Sequence, residues 1–235
     1  MTGSPAARIA VVLTGGERGP SFRAALRTAG YVELRIDRFL QRYPDGDVSA
    51  WIVSVRNMAA GRMIGTVRWH REQPDPVPGL PDKKRLALYR SVLPLVDLCD
   101  VEVASRIAPA VIALARRHGR KVILSHHDFR KTPPFRTLQG ILRSAQIYHG
   151  DIVKIATLVA SAEELKRLVR FTDFCRGRMA CIVVPMGVSV RERMAPLAHG
   201  SLVAYAALDE RTAPGQPGWG TVKAFLERRH HRRGG

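Results

Sequence analysis

A lysine lies inside an apolar stretch of this sequence. Residues 150–159 read G-D-I-V-K-I-A-T-L-V, a pattern that predicts a buried strand with Lys154 at its centre. An ammonium group that loses its water inside a protein is costly unless it is compensated. Lys154 must therefore extend to solvent, pair with a carboxylate, or lose its proton readily. In the third case its neutral amine would be a nucleophile that attacks carbonyl carbons and forms an imine.

Other residue types in the chain could complete such a reaction. Burial and the positive field of Arg35, Arg68 and Arg193 would lower the pKa of Lys154, because both disfavour its charged form. An imine acidifies the neighbouring carbon, whose proton then needs a general base, and His127 titrates in the right range. The surplus of arginine indicates an anionic substrate, most simply a carboxylate.

Polar residues recur at the ends of the predicted strands. These segments read E-L-R-I-D at 33–37, T-V-R-W-H-R-E at 66–72, D-V-E at 100–102 and S-H-H-D-F at 125–129. A single charged residue at a strand end is usually a solvated rim residue, and a single histidine is more often structural than catalytic. Charge at the same end of most strands is not required for a stable fold. It is typical of a polar pocket.

Eight strand-like runs alternate with helical patterns. The strands are predicted at residues 8–13, 31–36, 63–69, 98–104, 121–126, 151–157, 180–185 and 201–207. A capping box at 161–164 opens one helix, and a last helix is predicted over about 221–229. The alternation favours an α/β fold, a single-domain (β/α)8 TIM barrel, whose catalytic residues lie at the C-terminal ends of the strands. The alternative is an open doubly wound sheet, but no G-x-G-x-x-G follows the first strand. We expect one domain over residues 1–235, with a short basic C-terminal tail at about 228–235.

Composition constrains the partners and the compartment. The net charge of +18 would suit a nucleic-acid-binding protein, but the basic residues are scattered and only 6% of the residues are aromatic. We therefore expect no nucleic-acid partner. No segment is apolar for long enough to span a membrane, the first residues do not resemble a secretory signal, and the three cysteines suit a reducing environment. We expect a cytoplasmic protein.

Six motifs of the chain, in order, resemble those of type I 3-dehydroquinate dehydratases, the dehydroquinases that form a Schiff base. They are the four segments above, with the fourth continuing as S-H-H-D-F-R-K-T-P to residue 133, then G-D-I-V-K-I-A at 150–156 and A-P-G-Q at 213–216. The resemblance covers nearly the whole chain, from the second predicted strand to the last loop. It implies a (β/α)8 barrel that dehydrates 3-dehydroquinate to 3-dehydroshikimate, without a metal or an organic cofactor, and often as a homodimer.

The resemblance also implies roles for individual residues. Lys154 matches the Schiff-base lysine. His127 matches the general acid/base that removes the C2 proton and later protonates the departing C1 hydroxyl, and Glu72 matches the carboxylate that orients this histidine. Arg193 matches the arginine that binds the substrate carboxylate. The other substrate-binding positions are matched by Gln216, Thr212, Glu33, Arg35 and Arg68.

The chain departs from the family pattern at several positions. A Q-P pair replaces two glycines after the glutamate, and a histidine replaces the aromatic residue before the catalytic histidine. A threonine replaces the serine of S-A-P-G-Q, and a glutamate replaces the serine before the arginine, in a loop that is one residue shorter. The residues concerned are Gln73, Pro74, His126, Thr212 and Glu192. These replacements leave Lys154, His127 and Glu72 unchanged, but they affect the expected loop motion and the expected fit of the substrate.

Three further functions fit parts of the pattern. A related dehydratase could act on a modified dehydroquinate in a secondary pathway. A non-catalytic binding or regulatory protein could retain the barrel, but it would tend to lose Lys154 or His127, and both are present. A polyanion-binding protein would need a clustered basic face. An active 3-dehydroquinate dehydratase is the interpretation that the residues favour.

Overall fold

Eight strands of the chain pair in parallel and form a barrel. The structure is a computed structural model, and it describes residues 5–74 and 79–234. The strand order is β7-β6-β5-β4-β3-β2-β1-β8, so each strand lies beside its neighbour in sequence and β8 returns to β1. The strands are β1 (Ile9–Leu13), β2 (Tyr31–Arg35), β3 (Arg62–Thr66), β4 (Leu98–Glu102), β5 (Lys121–Asp128), β6 (Ile152–Leu158), β7 (Ala180–Met186) and β8 (Ala204–Ala207).

Helices connect the strands and surround the barrel. They are α1 (Gly19–Thr28), α2 (Ile36–Arg42), α3 (Val48–Arg56), α4 (Asp82–Val92), α5 (Ala108–Arg117), α6 (Phe135–Ile147), α7 (Ala162–Cys175), α8 (Val190–Arg193), α9 (Ala195–Ala198) and α10 (Trp219–Gly234). Only half of the predicted capping box forms at the start of α7: the Ser161 hydroxyl accepts from the backbone N–H of Glu164, but the Glu164 side chain accepts from the backbone N–H of Ala160 instead of that of Ser161. No helix within the described ranges combines the length and the apolar character that crossing a bilayer requires. The prediction of a (β/α)8 TIM barrel is confirmed.

Alternate residues of each strand face opposite sides of the barrel wall. In β6, Val153 and Ile155 pack in the apolar layer beneath the helices, whereas Ile152 and Ala156 pack in a second apolar cluster inside the barrel. Lys154 has the same parity as the interior pair, so its side chain enters the barrel. The alternation of buried strands therefore places a charged group where a stable core would have an apolar one.

The barrel is nearly closed between β7 and β8. The backbone N–H of Leu202, just before β8, donates to the carbonyl of Cys181 in β7 at 2.9 Å. The hydroxyl of Ser201 accepts from the backbone N–H of Val183 at 3.0 Å. These bonds connect β7 to the segment that precedes β8, and they satisfy polar groups that would otherwise be buried without partners.

Several predicted boundaries differ from the structure. The third, fourth and eighth strands are shorter than expected, whereas β5 extends to Asp128 and includes both histidines. The second strand ends at Arg35, one residue earlier than predicted, and Asp37, the last residue of the E-L-R-I-D segment, lies in the first turn of α2. The last helix is longer than predicted and runs to Gly234, so it includes most of the segment that we expected to form a tail. The proline-rich loop predicted over the mouth lies partly outside the described residues, at 75–78.

Candidate active site

A cavity opens at the C-terminal ends of the strands. Its volume is about 490 Å³, including the open mouth, which is in the range of small-molecule sites. Every residue that the sequence predicted for the site lines it: Glu33, Arg35, Arg68, Glu72, His127, Lys154, Arg193, Thr212 and Gln216. It is also lined by Gln73, Pro74, Phe129, Ala156, Val184, Met186, Tyr205 and Ala213. The tertiary structure thus brings together residues from both halves of the chain.

Lys154 lies at the bottom of this cavity in a cage of carboxylates. Its Nζ donates to Asp100 Oδ2 at 2.8 Å and to Glu33 Oε1 at 3.4 Å, and it lies 4.2 Å from the centroid of the Tyr205 ring. The expected depression of its pKa is wrong. Burial does lower the pKa of Lys154, but Asp100 and Glu33 outweigh burial, and the net effect is a raised pKa. The resting side chain is therefore a buried ammonium ion.

An arginine joins this cage to a buried network that crosses the barrel wall. Arg68 Nη1 donates to Asp100 at 3.0 Å and to Glu102 at 2.8 Å. The second oxygen of Glu102 accepts from Arg85 of α4 at 2.5 Å, and Arg85 is completely buried. Ser125 donates to Asp100 at 2.6 Å, which satisfies another of its lone pairs. These bonds fix Asp100 in the position in which it contacts Lys154.

The charges of this buried region balance. Arg35 forms a bidentate ion pair with Asp37, at 3.0 and 2.7 Å. Together with the contacts above, four cations face four carboxylates, and all eight residues are buried. They are Arg35, Arg68, Arg85, Lys154, Glu33, Asp37, Asp100 and Glu102. A substrate would therefore meet a polar wall that adds no net charge.

Arg193 is not one of the eight residues whose charges cancel. It ends the short helix α8 and is buried, and its Nη1 donates to the carbonyl of Pro214 at 3.2 Å. Within the described part of the chain its Nε has no hydrogen-bond partner and its guanidinium pairs with no carboxylate. Burial lowers the pKa of Arg193 to about 10, so it is still protonated at neutral pH. A buried cation of this kind is a suitable site for an anion.

Two polar residues of the last loop are fixed next to each other. The Gln216 side-chain oxygen accepts from the backbone N–H of Thr212 at 2.8 Å and from its hydroxyl at 3.1 Å. Both residues line the cavity with Arg193. The threonine that replaces the usual serine thus keeps its hydroxyl in the site, and the additional methyl group is accommodated.

His127 and Glu72 form a second unit at the mouth. Glu72 ends the 3-10 turn His70–Glu72, and its Oε2 accepts from the backbone N–H of His127 at 2.8 Å and lies 3.0 Å from Nδ1. The contact with Nδ1 leaves Nε2 to face a ligand. Burial and the charges of Arg68 and Lys154 hold the pKa of His127 well below its usual range, so the ring is neutral and can accept a proton. Burial and Glu102 raise the pKa of Glu72 to about 8.

The preceding histidine is placed differently. His126 has the opposite parity in β5 and does not line the cavity. Its Nδ1 lies 3.8 Å from Glu72 Oε1, beyond hydrogen-bonding distance, and burial lowers its pKa. The strand register therefore gives the two adjacent histidines different environments.

Sequence reasoning missed several residues that shape the site. The sequence shows Asp100 and Glu102 only as polar residues at the end of a predicted strand, because their contacts with Lys154 and Arg68 depend on strands that are distant in sequence. The sequence did not mark Tyr205 as a site residue, because a tyrosine in an apolar strand is usually part of the hydrophobic core. In the described ranges, no group of three His, Cys, Asp or Glu side chains is arranged to hold a metal ion.

The comparisons with known proteins agree with this geometry. A family model described as type I 3-dehydroquinase matches residues 16–233. A 3-dehydroquinate dehydratase of Thermococcus gammatolerans is 34% identical over 80% of this chain and 82% of its own length. One from Thermodesulfovibrio yellowstonii is 29% identical over 88% of this chain and 89% of its own length.

A solved structure also matches nearly the whole barrel. The crystal structure of the 3-dehydroquinate dehydratase from Geobacillus kaustophilus superposes with a TM-score of 0.81 and 26% sequence identity. The match covers 95% of this chain and 91% of that one. The similarity therefore includes the strands, the surrounding helices and the end of the barrel at which the cavity lies.

Proposed function

This chain belongs to the type I 3-dehydroquinase family, whose members are hydro-lyases, and from that premise we propose that it converts 3-dehydroquinate to 3-dehydroshikimate through an imine on Lys154. The observation that carries the proposal is that Lys154 and the His127–Glu72 pair line the same cavity. The lysine can bind the ketone covalently, and the histidine can move the proton of the adjacent carbon.

Arg193 binds the substrate carboxylate in this proposal. It is the buried cation that the described carboxylates leave uncompensated, so a monoanionic substrate neutralises it. Thr212 and Gln216 lie beside it in the cavity wall. A planar guanidinium can bind a carboxylate with two parallel hydrogen bonds and so fix the ring in one orientation. Glu33, Arg35 and Arg68, which line the same cavity, are assigned to the ring hydroxyls.

Imine formation begins with the loss of one proton from the Lys154 ammonium ion to the neutral His127. The amine then attacks the C3 carbonyl carbon, and the protonated histidine helps the oxygen to leave as water. The product is an iminium ion, so the nitrogen carries a positive charge both before its proton is lost and after water has left. Asp100, at 2.8 Å, and Glu33 stabilise this charge before and after the bond forms. The raised pKa of the free lysine and the stability of the iminium ion therefore have the same cause.

Elimination follows from the iminium ion. His127 removes the C2 proton, and the electron pair moves toward the iminium nitrogen to give a neutral enamine. The protonated His127 then donates to the C1 hydroxyl, which leaves as water while the iminium ion forms again. Hydrolysis releases 3-dehydroshikimate and restores the lysine. The contact of Glu72 with Nδ1 orients the ring so that Nε2 carries both proton transfers.

Trapping the imine tests the proposal. Turnover of 3-dehydroquinate is followed by the absorbance of the enone product. Borohydride added to enzyme and substrate should inactivate the enzyme, and the reduced adduct should be found on the peptide that contains Lys154. Lys166 on α7, which is exposed and pairs with Glu163, provides a matched control. Lys166→Ala should retain turnover and labelling, and Lys154→Ala should lose both. A label on Lys166, or turnover without a label, would contradict the mechanism.

A modified 3-dehydroquinate is the second candidate substrate. Gln73, which stands where the family usually has glycine, lines the cavity, and its buried side-chain oxygen has no hydrogen-bond partner among the described residues. A substituent with an N–H or O–H donor could satisfy it. A higher kcat/KM for an amino analogue than for 3-dehydroquinate itself would favour this candidate.

We also propose that the protein acts in the cytoplasm as a homodimer and without a nucleic-acid partner. Its three cysteines are buried free thiols, which suits a reducing compartment. Ile147 and Tyr148, at the end of α6, are exposed side by side and could contribute to a contact between subunits. A molar mass in solution equal to twice the 26.0 kDa of one chain is the expected result.

A further inference from the structure

Tyr205 is a cavity residue beside the reacting nitrogen, and the mechanism above does not use it. It lies in β8 with its side chain inside the barrel, and it is 95% buried, since only 5% of its surface is exposed. The Nζ of Lys154 lies over its ring, 4.2 Å from the centroid. Its hydroxyl is buried beside the Lys154 ammonium group, which can only donate, and has no hydrogen-bond partner among the described residues. The residue belongs to the cavity wall.

The ring face can stabilise the charge at the Lys154 nitrogen. An aromatic face attracts a cation within about 6 Å of its centroid, and the attraction is stronger where water is excluded. The nitrogen is cationic as the ammonium ion and as the iminium ion. Tyr205 therefore acts on the same charge as Asp100 and Glu33, but without a formal negative charge and without competing for the proton.

The hydroxyl has a separate role. The polar groups around it are satisfied: Asp100 accepts from Arg68, Ser125 and Lys154, and Glu33 accepts from Thr66 and Lys154. A buried hydroxyl without a partner is unfavourable, unless a ligand completes its hydrogen bond. Burial raises the pKa of Tyr205, so the hydroxyl stays protonated and can donate.

The position of the hydroxyl limits which substrate oxygen it can bind. The carbonyl oxygen at C3 leaves when the imine forms, so it cannot be a lasting partner. The next oxygen along the ring is the hydroxyl on C4, the carbon adjacent to the one that Lys154 attacks. A donor beside Lys154 would bind this oxygen before and after the imine forms.

We propose that Tyr205 determines specificity in this reaction: its ring holds the charged nitrogen of Lys154, and its hydroxyl donates to the C4 hydroxyl of the substrate. The proposal rests on the dehydratase function and names a contact that this function alone does not require. It implies that the site selects substrates with an oxygen next to the carbonyl carbon.

The test compares Tyr205→Phe with the wild type on 3-dehydroquinate and on its 4-deoxy analogue. The phenylalanine variant keeps the ring and loses only the hydroxyl. We expect its kcat/KM for 3-dehydroquinate to fall about tenfold, mainly through a higher KM, the size of effect that one hydrogen bond gives. The two enzymes should handle the 4-deoxy analogue equally. Tyr43→Phe, at the exposed C-terminal cap of α2, is the matched control and should change the kinetics of neither substrate.

A second variant separates the ring from the hydroxyl. Tyr205→Leu removes both, and imine trapping by borohydride should be slower than in Tyr205→Phe by a further factor of about ten. Thermal unfolding of Tyr205→Phe should be unchanged or slightly higher, because the variant removes an unsatisfied group.

The outcomes distinguish this proposal from the function on which it depends. Suppose that the wild type turns over 3-dehydroquinate. If Tyr205→Phe has the same kcat/KM, or loses the same factor on both substrates, the role of the hydroxyl is overturned and the dehydratase function remains. A wild-type protein that does not turn over 3-dehydroquinate overturns the function itself, and the role of Tyr205 with it.

Discussion

The charge state of Lys154 depends on which neighbours are closest. Burial and the arginines of the cavity favour a neutral amine, but two carboxylates within 3.4 Å favour the ammonium ion, and they prevail. A nucleophilic lysine does not therefore need a depressed pKa in the resting state. It needs a proton acceptor when the substrate arrives, and the neutral His127 in the same cavity can supply one.

The two adjacent histidines should differ sharply in function. His127→Ala should lower kcat by about 10²–10⁴-fold, because it removes the general acid/base. Borohydride should still trap the imine on Lys154, but more slowly, because the acceptor of the Lys154 proton is lost as well. His126→Ala, the matched control one residue earlier, should change kcat by only a few-fold, because its ring does not line the cavity. Steady-state kinetics and borohydride labelling of both variants measure the difference. A larger loss for His126→Ala would contradict the roles given to the two histidines.

Glu72 should make the folded protein less stable as the pH rises from 4.5 to about 8. Its pKa is raised from 4.5 to about 8, so the folded state holds a proton that the unfolded state has lost. This contribution is fully present below pH 4.5 and disappears as the pH rises through about 8. His127 and His126 have lowered pKa values, so their opposite contributions act below their ordinary pKa of 6.5.

The clearest window for this effect is therefore between pH 6.5 and about 8. The free energy of unfolding should fall there by up to about 1.4 kcal/mol per pH unit, as measured by urea denaturation. Glu72→Gln should flatten the slope, because glutamine does not titrate. Glu163→Gln, at an exposed position on α7, should retain the wild-type slope. Identical slopes in all three proteins would show that Glu72 has an ordinary pKa.

At the scale of elements, the short helix α8 explains one departure from the family pattern. Glu192 forms a capping box with Ser189: its Oε2 accepts from the backbone N–H of Ser189 at 3.0 Å, and the Ser189 hydroxyl accepts from the backbone N–H of Glu192 at 3.4 Å. A four-residue helix is marginal without such caps. The glutamate before Arg193 therefore helps to hold the arginine in the cavity.

Removing this cap should weaken substrate binding without affecting the chemistry. Glu192→Ala should raise KM about fivefold at nearly constant kcat, because the loss of a cap destabilises a helix by about 1 kcal/mol and the position of Arg193 depends on α8. Glu164→Ala removes the corresponding third residue of α7, whose side chain accepts from the backbone N–H of Ala160, and serves as the control. An equal KM in both variants would show that the cap of α8 does not affect substrate binding.

At the scale of the whole molecule, the charge of +18 is distributed unevenly between interior and surface. The buried polar region beside the cavity balances its own charges, so the excess lies elsewhere, mostly on the outer helices. Its last part is the arginine-rich end of α10, where Arg229 lies 5.9 Å from the centroid of the Phe225 ring. Surface charges of this kind act over about 8 Å at physiological salt.

Deleting residues 228–235 should leave catalysis almost unchanged. The shortened α10 keeps Trp219 and Val222, its buried residues, so the barrel remains covered. We expect kcat/KM within about twofold of the wild type at moderate salt, because no residue of α10 lines the cavity within the described residues and salt screens charges beyond about 8 Å. Weak binding to a random DNA duplex, measured by fluorescence anisotropy, should fall. A folded but inactive truncation would mean that this segment reaches an active site, most simply that of a second subunit.

The sequence by itself determined the architecture and the membership of the site. Alternating strands and helices predicted the barrel. The motifs then supplied the residues that line the cavity. Boundaries were less accurate, as at Asp37, because α2 begins directly after β2, and the hydrogen bonds that end a strand are not encoded by polarity alone.

Only the tertiary structure decided the electrostatics of the site. The carboxylate that raises the pKa of Lys154 comes from β4, 54 residues earlier, and the aromatic ring beneath it comes from β8. The lack of a described carboxylate at Arg193 is likewise a property of all the elements around it. Charge interactions depend on distance and on burial, and both are set by residues that are far apart in sequence. The sequence therefore identifies the reactive groups, and the tertiary structure determines which of them are charged.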